Sequence, residues 1–284
     1  MTDPRALIIY HNNCIDGYTA AWIAQKALRE QSHTECILFP AEYGDTPPDT
    51  SGREVYVLDF SYPRETLIKM HGEASILGVF DHHKTAKEDC EGLAFCEFDM
   101  EKSGCMLAWE FFYPNELPPN WIKCIDDRDR WKFKMGATKN VHAYISSFPF
   151  ELRYWDAFYH TPVVDMAARG HDIKRSIDNE ISKNMREAIE IHTWDNHIQR
   201  ERRAIALNVP YLHRSETGHM LLEAYEAAEF SITYFQKSNK DWQYDLRARE
   251  CDDIDVSEIA KHFGGGGHAN AAGFKRTNLL RSLR

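Results

Sequence analysis

The sequence predicts an α/β protein in two parts. An N-terminal domain has a mostly parallel sheet flanked by helices, and a helical connector joins it to a smaller C-terminal α/β domain. Three observations lead there. Short apolar runs alternate with helix-like segments in the first part of the chain, and the same alternation returns after residue 204. Between them lies a long polar segment whose apolar residues recur every three or four positions. Alternation of this kind reads as parallel strands covered by helices, and the intervening period as an amphipathic helix.

Leu7 to Tyr10 reads as the first strand, with a helix opening near Asp16, strands over Glu35 to Phe39 and Val55 to Leu58, a helix opening near Pro63, and a strand over Ser75 to Phe80. Proline suits a first helical turn, where its missing donor would be unpaired anyway. Residues 41–53 and 84–92 are rich in turn formers and charge and read as surface loops. From Ser103 the chain turns helical, with Ser103-Gly104 opening Cys105 to Phe112 and Pro114 to Pro119 breaking it. Ile173, Ile177, Ile181, Met185, Ile189 and His192 place an amphipathic connector helix over about 162–203, a packing element with no chemistry assigned. Beyond it come a strand over Ala204 to Leu207, a helix over Gly218 to Ala228, strands over Phe230 to Phe235 and Trp242 to Arg247, and a helix over Val256 to His262. Asp255 and Glu258 have capping-box spacing for that last helix. The expected divisions are an N-terminal domain over 1–160, the connector over 161–204 and a second domain over 205–284.

A chain of 284 residues, 43% hydrophobic and 27% charged, can bury two modest cores without staples. Its seven cysteines form no CxxC pair, which argues against a disulfide framework or a zinc knuckle. The N-terminus lacks a signal-peptide apolar region, and no apolar run approaches membrane-spanning length, so a cytoplasmic protein is expected. The formal net charge of −10 and the lack of a basic tract argue against long duplex nucleic acid, whose binding draws on extended basic surfaces. A short or small phosphate substrate fits better. The exposed face of the helical segments could pair subunits in a homodimer or pack internally.

Four apolar runs end in candidate ligands. Val79-Phe80 leads into Asp81-His82-His83, Ala6 to Tyr10 into His11 and then Asp16-Gly17, Val55 to Leu58 into Asp59, and Trp121 to Ile125 into Asp126-Asp127. Parallel strands deliver their carboxyl ends to one edge, where ligands bind. Carboxylates and imidazoles gathered there would repel or lie unsatisfied without a cation among them. Hard oxygen ligands mixed with imidazole suit Mn²⁺ or Mg²⁺, with Zn²⁺ or Co²⁺ tolerated. His83 is a poorer ligand than His82, since consecutive side chains diverge, and Asp81 is placed to orient one of the imidazoles.

In this order, His11 to Asp16, Asp59, Asp81-His82-His83 and Asp127, followed by Gly264-Gly265-Gly266-Gly267-His268 and Ala269 to Phe274, the chain resembles the DHH/DHHA1 branch of the DHH phosphoesterases, among them oligoribonuclease-like phosphodiesterases. The resemblance spans nearly the whole chain. It implies two divalent ions, Mn²⁺ first, bridged by Asp59, with His11 completing one site and Asp16, His82 and Asp127 the other. It assigns His83 to the substrate phosphate, as a proton donor to the leaving oxygen. It gives the substrate's distal phosphate or nucleotide to Gly265, Gly266, Gly267 and His268, with Arg247 as the binding arginine and Arg249 a weaker candidate. The implied activity is metal-dependent hydrolysis of short oligonucleotides or small nucleotide phosphoesters by activated water. Pyrophosphatase or exopolyphosphatase action, and an inactive nucleotide or phosphate sensor, are the alternatives.

One position departs from the family. Many members carry Asp-x-Asp in the first motif, whereas this chain has Cys14-Ile15-Asp16. Cys14 is expected either to ligate a metal as thiolate, shifting that site toward softer ions, or to stay uninvolved, with Asn13 a third candidate. In the fourth motif the resemblance favours Asp127, with Asp129 second and Asp126 facing solvent. The glycine run reads as a loop that approaches its ligand closely, with bare N–H groups at a following helix N-terminus.

Overall fold

A computed structural model describes residues 6–32, 35–195, 200–249 and 253–279. The chain divides into two compact units, residues 1–175 and 176–284.

The first unit opens with strand β1 (Ala6–His11), helix α1 (Ile15–Ser32), β2 (Cys36–Ala41), β3 (Glu54–Leu58), α2 (Arg64–Glu73), β4 (Ile76–Asp81), the short α3 (Lys87–Cys90) and β5 (Cys96–Phe98). All five strands are parallel in the order β2-β1-β3-β4-β5. Their apolar runs carry large residues at consecutive positions because both faces are covered. Ile8, Tyr10, Tyr56, Leu58 and Phe80 point into one core, and Leu7, Ile9, Val55, Val57 and Val79 into the other. The first core is completed by α4 (Gly104–Phe112), α5 (Asn120–Asp129), α6 (Thr138–Ser146) and α7 (Leu152–Tyr159), which supply the fully buried Trp109, Trp121 and Trp155 beside Trp22 of α1. Burial of each such side chain contributes on the order of 2–3 kcal/mol. Pro63 stands immediately before α2, as its fixed φ favours.

Two expectations fail here. Trp121 to Ile125 is not a strand but the body of α5. Trp121, Ile122, Cys124 and Ile125 are buried on one side of that helix. The connector helix α8 (Val163–Asn184) stops earlier than its isoleucine spacing suggested. Ile189 and His192 lie instead in β6 (Ile189–Asp195), where Ile189, Ile191 and Thr193 alternate with Glu190 and His192 in a strand period. Among the described residues no helix is long and apolar enough to cross a membrane.

The second unit continues with β7 (Arg200–Asn208), α9 (Arg214–Ala224), β8 (Phe230–Gln236), β9 (Trp242–Ala248), α10 (Val256–His262), β10 (Gly266–His268) and β11 (Ala271–Arg276). Its six strands run in the order β10-β11-β9-β8-β7-β6, antiparallel except for β7 and β8. Tyr244, Leu246, Ala248, Ala272 and Phe274 face a core shared with Val256 and Ala260 of α10. The Asp255 carboxylate accepts the Ser257 N–H at 2.9 Å and caps that helix.

Candidate metal centre

Each candidate ligand at the sheet edge is held by a different local device. β1 ends on His11, and α1 begins four residues later, so Asp16 lies in its first turn. Gly17 is required for that return, since a Cβ there would stand 2.6 Å from the His11 carbonyl oxygen. Asp59 follows β3 with φ of 55°, a left-handed conformation that is uncommon without glycine, and its N–H donates to the Phe80 carbonyl at 2.8 Å. β4 carries Asp81 to the same edge, with His82 and His83 immediately beyond.

Asp81 works on its neighbours. Its Oδ1 accepts the His82 and His83 backbone N–H groups at 2.7 and 3.1 Å and lies 2.8 Å from His83 Nδ1. Burial alone would raise the Asp81 carboxyl, but the His83 and His82 imidazoles outweigh it and hold the pKa below the usual carboxylate value. With Nδ1 on Asp81, a ligand of His83 meets Nε2. Of the two imidazoles, His83 is the one Asp81 orients.

The His82 ring is buried, and its Nε2 lies 3.0 Å from Asp59 Oδ1, 3.4 Å from Asp129 Oδ2 and 3.8 Å from Asp16 Oδ2. Burial works against protonation, but the Asp59 hydrogen bond and the charges of Asp129, Asp59 and Asp16 prevail and lift His82 to about 10. Burial likewise pushes Asp16 well up, with Asp59 and Asp129 adding repulsion, although its two oxygens accept the Gly104 and Cys105 N–H groups at 2.6 and 2.9 Å. Asp59 is pulled the other way. Its burial penalty is overcome by the His11 and His82 imidazoles, so it sits well below the normal range.

Within the first unit two groups of donor atoms emerge, His11 with Cys14 and Asp59, and Asp16 with His82 and Asp129, the atoms of each lying within 4.8 Å of one another. His11 Nδ1, Asp59 Oδ2 and Asp129 Oδ2 are buried without a hydrogen-bond partner, and the first two stand 3.7 Å apart. Leaving three such atoms unsatisfied is costly, and divalent cations would satisfy them all. These residues therefore fit a metal centre of two adjoining sites. Cys14 is drawn into the first group, and burial, then Asp59, Asp129 and Asp16, raise its thiol well above the ordinary value, so it is a neutral thiol until a metal displaces the proton.

The fourth motif departs from the sequence expectation. Asp127 does not join either group. Its oxygens accept the Lys134 and Met135 N–H groups at 2.8 and 3.0 Å and the Thr138 hydroxyl at 2.5 Å, tying the end of α5 to the start of α6. Asp126 does not face solvent either. It is buried, accepts the Ser103 N–H at 2.8 Å and pairs with Arg130. Asp129 takes the place expected of Asp127. Arg128 stacks over Trp131 at 4.0 Å.

Sequence reading missed three neighbours. Gly104 at the start of α4 has no room for a side chain, since its Cβ would lie 2.4 Å from that of Asp59. Tyr43, delivered just past β2, sets its ring 5.8 Å from His11, 6.1 Å from His83 and 5.0 Å from Phe60. The Ser-Gly pair that opens α4 was a usable signal for Gly104, and Phe60 follows Asp59 directly in the chain, whereas nothing local marks Tyr43.

In the second unit the glycine run leads into a hairpin, not into a helix N-terminus. Gly266, Gly267 and His268 form β10, paired with Gly273, Ala272 and Ala271 of β11. Gly265 and Gly267 permit that pairing, since a Cβ on either would stand 2.0 Å from the Gly273 oxygen or 2.5 Å from the Ala271 oxygen. Arg247 lies on β9 opposite Ala271 and so beside this hairpin. Arg249 is turned to the Ala228 and Leu222 carbonyls, which it binds at 2.7 and 2.6 Å.

No family model matches the chain. A protein of Acanthamoeba polyphaga mimivirus described as uncharacterized protein R106 is 28% identical over 295 residues, covering 95% of this chain and 67% of that protein. Among solved structures, the pGpG-specific phosphodiesterase PggH of Vibrio cholerae is similar with a TM-score of 0.51 at 12% identity, over 95% of this chain and 92% of that one. RecJ of Thermus thermophilus, solved in complex with Mn²⁺, gives 0.49 at 13% identity, over 95% of this chain and 49% of that one. The likeness to PggH is one of fold alone.

Proposed function

We propose that the protein is a divalent-metal-dependent phosphodiesterase of the DHH/DHHA1 type that hydrolyses short oligonucleotides or small nucleotide phosphoesters. The observation that carries this reading is the pair of donor groups that meet at Asp59, with His83 held beside them. PggH, of similar fold, is by its name a phosphodiesterase of a dinucleotide, which supports the same class of substrate.

Mn²⁺ is the first choice of ion, with Mg²⁺ or Co²⁺ as alternatives. His11, Cys14 and Asp59 would hold one ion and Asp16, His82 and Asp129 the other, with Asp59 lying beside both groups. When bound, such a pair supplies hydroxide near neutral pH, by lowering the pKa of water from about 15.7 toward 7, and neutralises charge on the phosphoryl oxygens. The chain's own residues do the rest. His83, with Nδ1 bonded to Asp81, presents Nε2 to the leaving oxygen and donates a proton there. Asp81 holds the ring by Nδ1 and favours its imidazolium form, in which Nε2 also carries a proton to give. Asp16 is locked by two amides of α4, so its geometry is set before substrate arrives. Arg247 and His268, with the bare backbone of Gly265, Gly266 and Gly267, bind an anionic part of the substrate.

The deciding experiment is release of mononucleotide from a 5′-labelled RNA trimer by metal-stripped protein with Mn²⁺ restored, with Asp59→Asn as control. Asparagine tolerates the left-handed backbone at that position, so the variant keeps its fold. Mn²⁺-dependent product that Asp59→Asn does not form establishes the activity. Hydrolysis of pyrophosphate or polyphosphate in place of the trimer would shift the assignment to a phosphohydrolase of those anions.

A further inference from the structure

The second unit carries a carboxylate that its own packing leaves unsatisfied. Asp245 and Arg247 alternate along β9 with Tyr244, Leu246 and Ala248, which face the core, and therefore project from the opposite face. Across the ladder Asp245 is flanked by Gly273 on β11 and Thr233 on β8, and Arg247 by Ala271 and Ser231. One strand further out, Gly266 pairs with Gly273 and His268 with Ala271. Asp245, Arg247 and His268 thus share one face with a glycine floor at 266 and 273. A Cβ at Gly273 would meet Asp245 Oδ1 at 3.3 Å and Gln243 Nε2 at 3.2 Å, so glycine there keeps a side chain from between them, with the Gln243 amide on the same face.

Arg247 is anchored, with Nη2 donating to Ser215 Oγ at 2.5 Å and Nη1 to the Leu246 carbonyl at 2.8 Å, and its stem lies against Gly218 of α9. Asp245 Oδ1 lies 3.4 Å from Arg214 Nε. Its Oδ2 is buried with no hydrogen-bond partner. An acceptor-only group in this state calls for a donor from outside the protein. Phosphate oxygens cannot be that donor, because near neutral pH they mostly accept and are repelled by a carboxylate.

We infer that Asp245 Oδ2 accepts a hydrogen bond from the nucleoside part of the ligand, a ribose hydroxyl or a base N–H, while Arg247 and His268 take its phosphate. This rests on the reading of the second unit as a nucleotide-binding domain, and it deepens that reading by excluding bare pyrophosphate and polyphosphate as its preferred ligands. Asp245 is a specificity residue of the binding face and takes no part in bond cleavage.

The test is calorimetric binding of 5′-AMP, 5′-GMP, their 2′-deoxy counterparts and inorganic pyrophosphate to the full chain and to Asp245→Asn, beside trimer hydrolysis by both. Asp245→Ala, which buries no amide, replaces Asp245→Asn if melting shows the latter misfolded. The wild type is expected to bind at least one nucleotide about tenfold more tightly than pyrophosphate. The substitution should cut that ratio about tenfold while metal content stays unchanged. Loss confined to the ribonucleotides identifies the ribose hydroxyl as donor, and loss confined to one base identifies the base N–H. Equal weakening of all five ligands, no weakening, or wild-type binding of pyrophosphate as tight as of nucleotides overturns the inference. A wild type that discriminates as expected yet cleaves no trimer leaves the inference standing and sinks the phosphodiesterase reading alone.

Discussion

Gly104 lies so close to Asp59 that a Cβ on the glycine would stand 2.4 Å from the Cβ of the aspartate and 2.8 Å from its Cα. The amide of this glycine also binds Asp16 at 2.6 Å, so one residue at the head of α4 sets two proposed ligands.

Gly104→Ala is expected to cost about 1–3 kcal/mol of stability through overpacking and to displace Asp59 from between the donor groups. Mn²⁺ binding should weaken with it, while Gly136→Ala, which meets open space, leaves both properties unchanged. Calorimetry with Mn²⁺ and thermal melting measure the two effects. Normal Mn²⁺ affinity in a folded Gly104→Ala protein would refute the role assigned to this contact.

Asp127 and Asp129 should separate cleanly. Asp127→Asn removes the carboxylate that holds Lys134, Met135 and Thr138, and is expected to cost roughly 1–3 kcal/mol without loss of metal. Burial opposes ionisation of Asp127, but the Thr138 hydroxyl and the Met135 and Lys134 amides outweigh it and depress the pKa. A depressed carboxyl contributes stability that is fully present above its unfolded value, about 3.9, and lost as pH falls through the folded one. The stability gap between wild type and Asp127→Asn is therefore full at neutral pH and narrows below about pH 4. Asp129→Asn has the opposite profile, with metal bound at one site fewer and little loss of stability in the stripped protein. Metal stoichiometry and pH-dependent unfolding of both variants decide it.

Much of this was legible in the sequence, and the exceptions have definite causes. Apolar runs ending in His11, Asp59 and Asp81 marked three strands and their shared edge, because parallel strands buried on both faces leave a plain signature. Trp121 to Ile125 fitted strand and helix equally well at five residues, and the error propagated. On a helix, Asp127 and Asp129 are separated by about 200° and only one can reach the site, whereas no such choice follows from a strand-end reading. The connector was overextended because Ile189 happens to continue the four-residue spacing of Ile173, Ile177 and Ile181. The three-residue β5 was too short to read. Tyr43 came to the site through tertiary packing, which no local pattern encodes.

Cys14 offers a spectroscopic test that needs no substrate. If its thiolate ligates, Cd²⁺ or Co²⁺ added to metal-stripped protein should give a sulfur-to-metal charge-transfer band that Cys14→Ala abolishes, since thiolate favours softer ions. Cys14→Asp should retain two ions per chain without the band and shift preference toward Mn²⁺. Spectra and metal content unchanged in Cys14→Ala would mean that His11 and Asp59 hold their ion without sulfur.

His83 and Asp81 should fail in graded fashion. His83→Gln removes the proposed proton donor and leaves the His11-Cys14-Asp59 and Asp16-His82-Asp129 groups intact, so metal content is expected to stay normal while kcat falls about 10²- to 10⁴-fold. Asp81→Asn keeps an acceptor for the backbone N–H groups of His82 and His83 but weakens the hold on His83 Nδ1 and no longer favours its protonated ring. Its kcat should fall less than that of His83→Gln, and the alkaline limb of its rate profile should move to lower pH, because the Asp81 carboxylate raises the His83 pKa against its burial. The double variant should be no slower than His83→Gln alone, as Asp81 acts through the imidazole. Additive losses, or metal loss in His83→Gln, would assign His83 to the ions and leave the leaving oxygen to water.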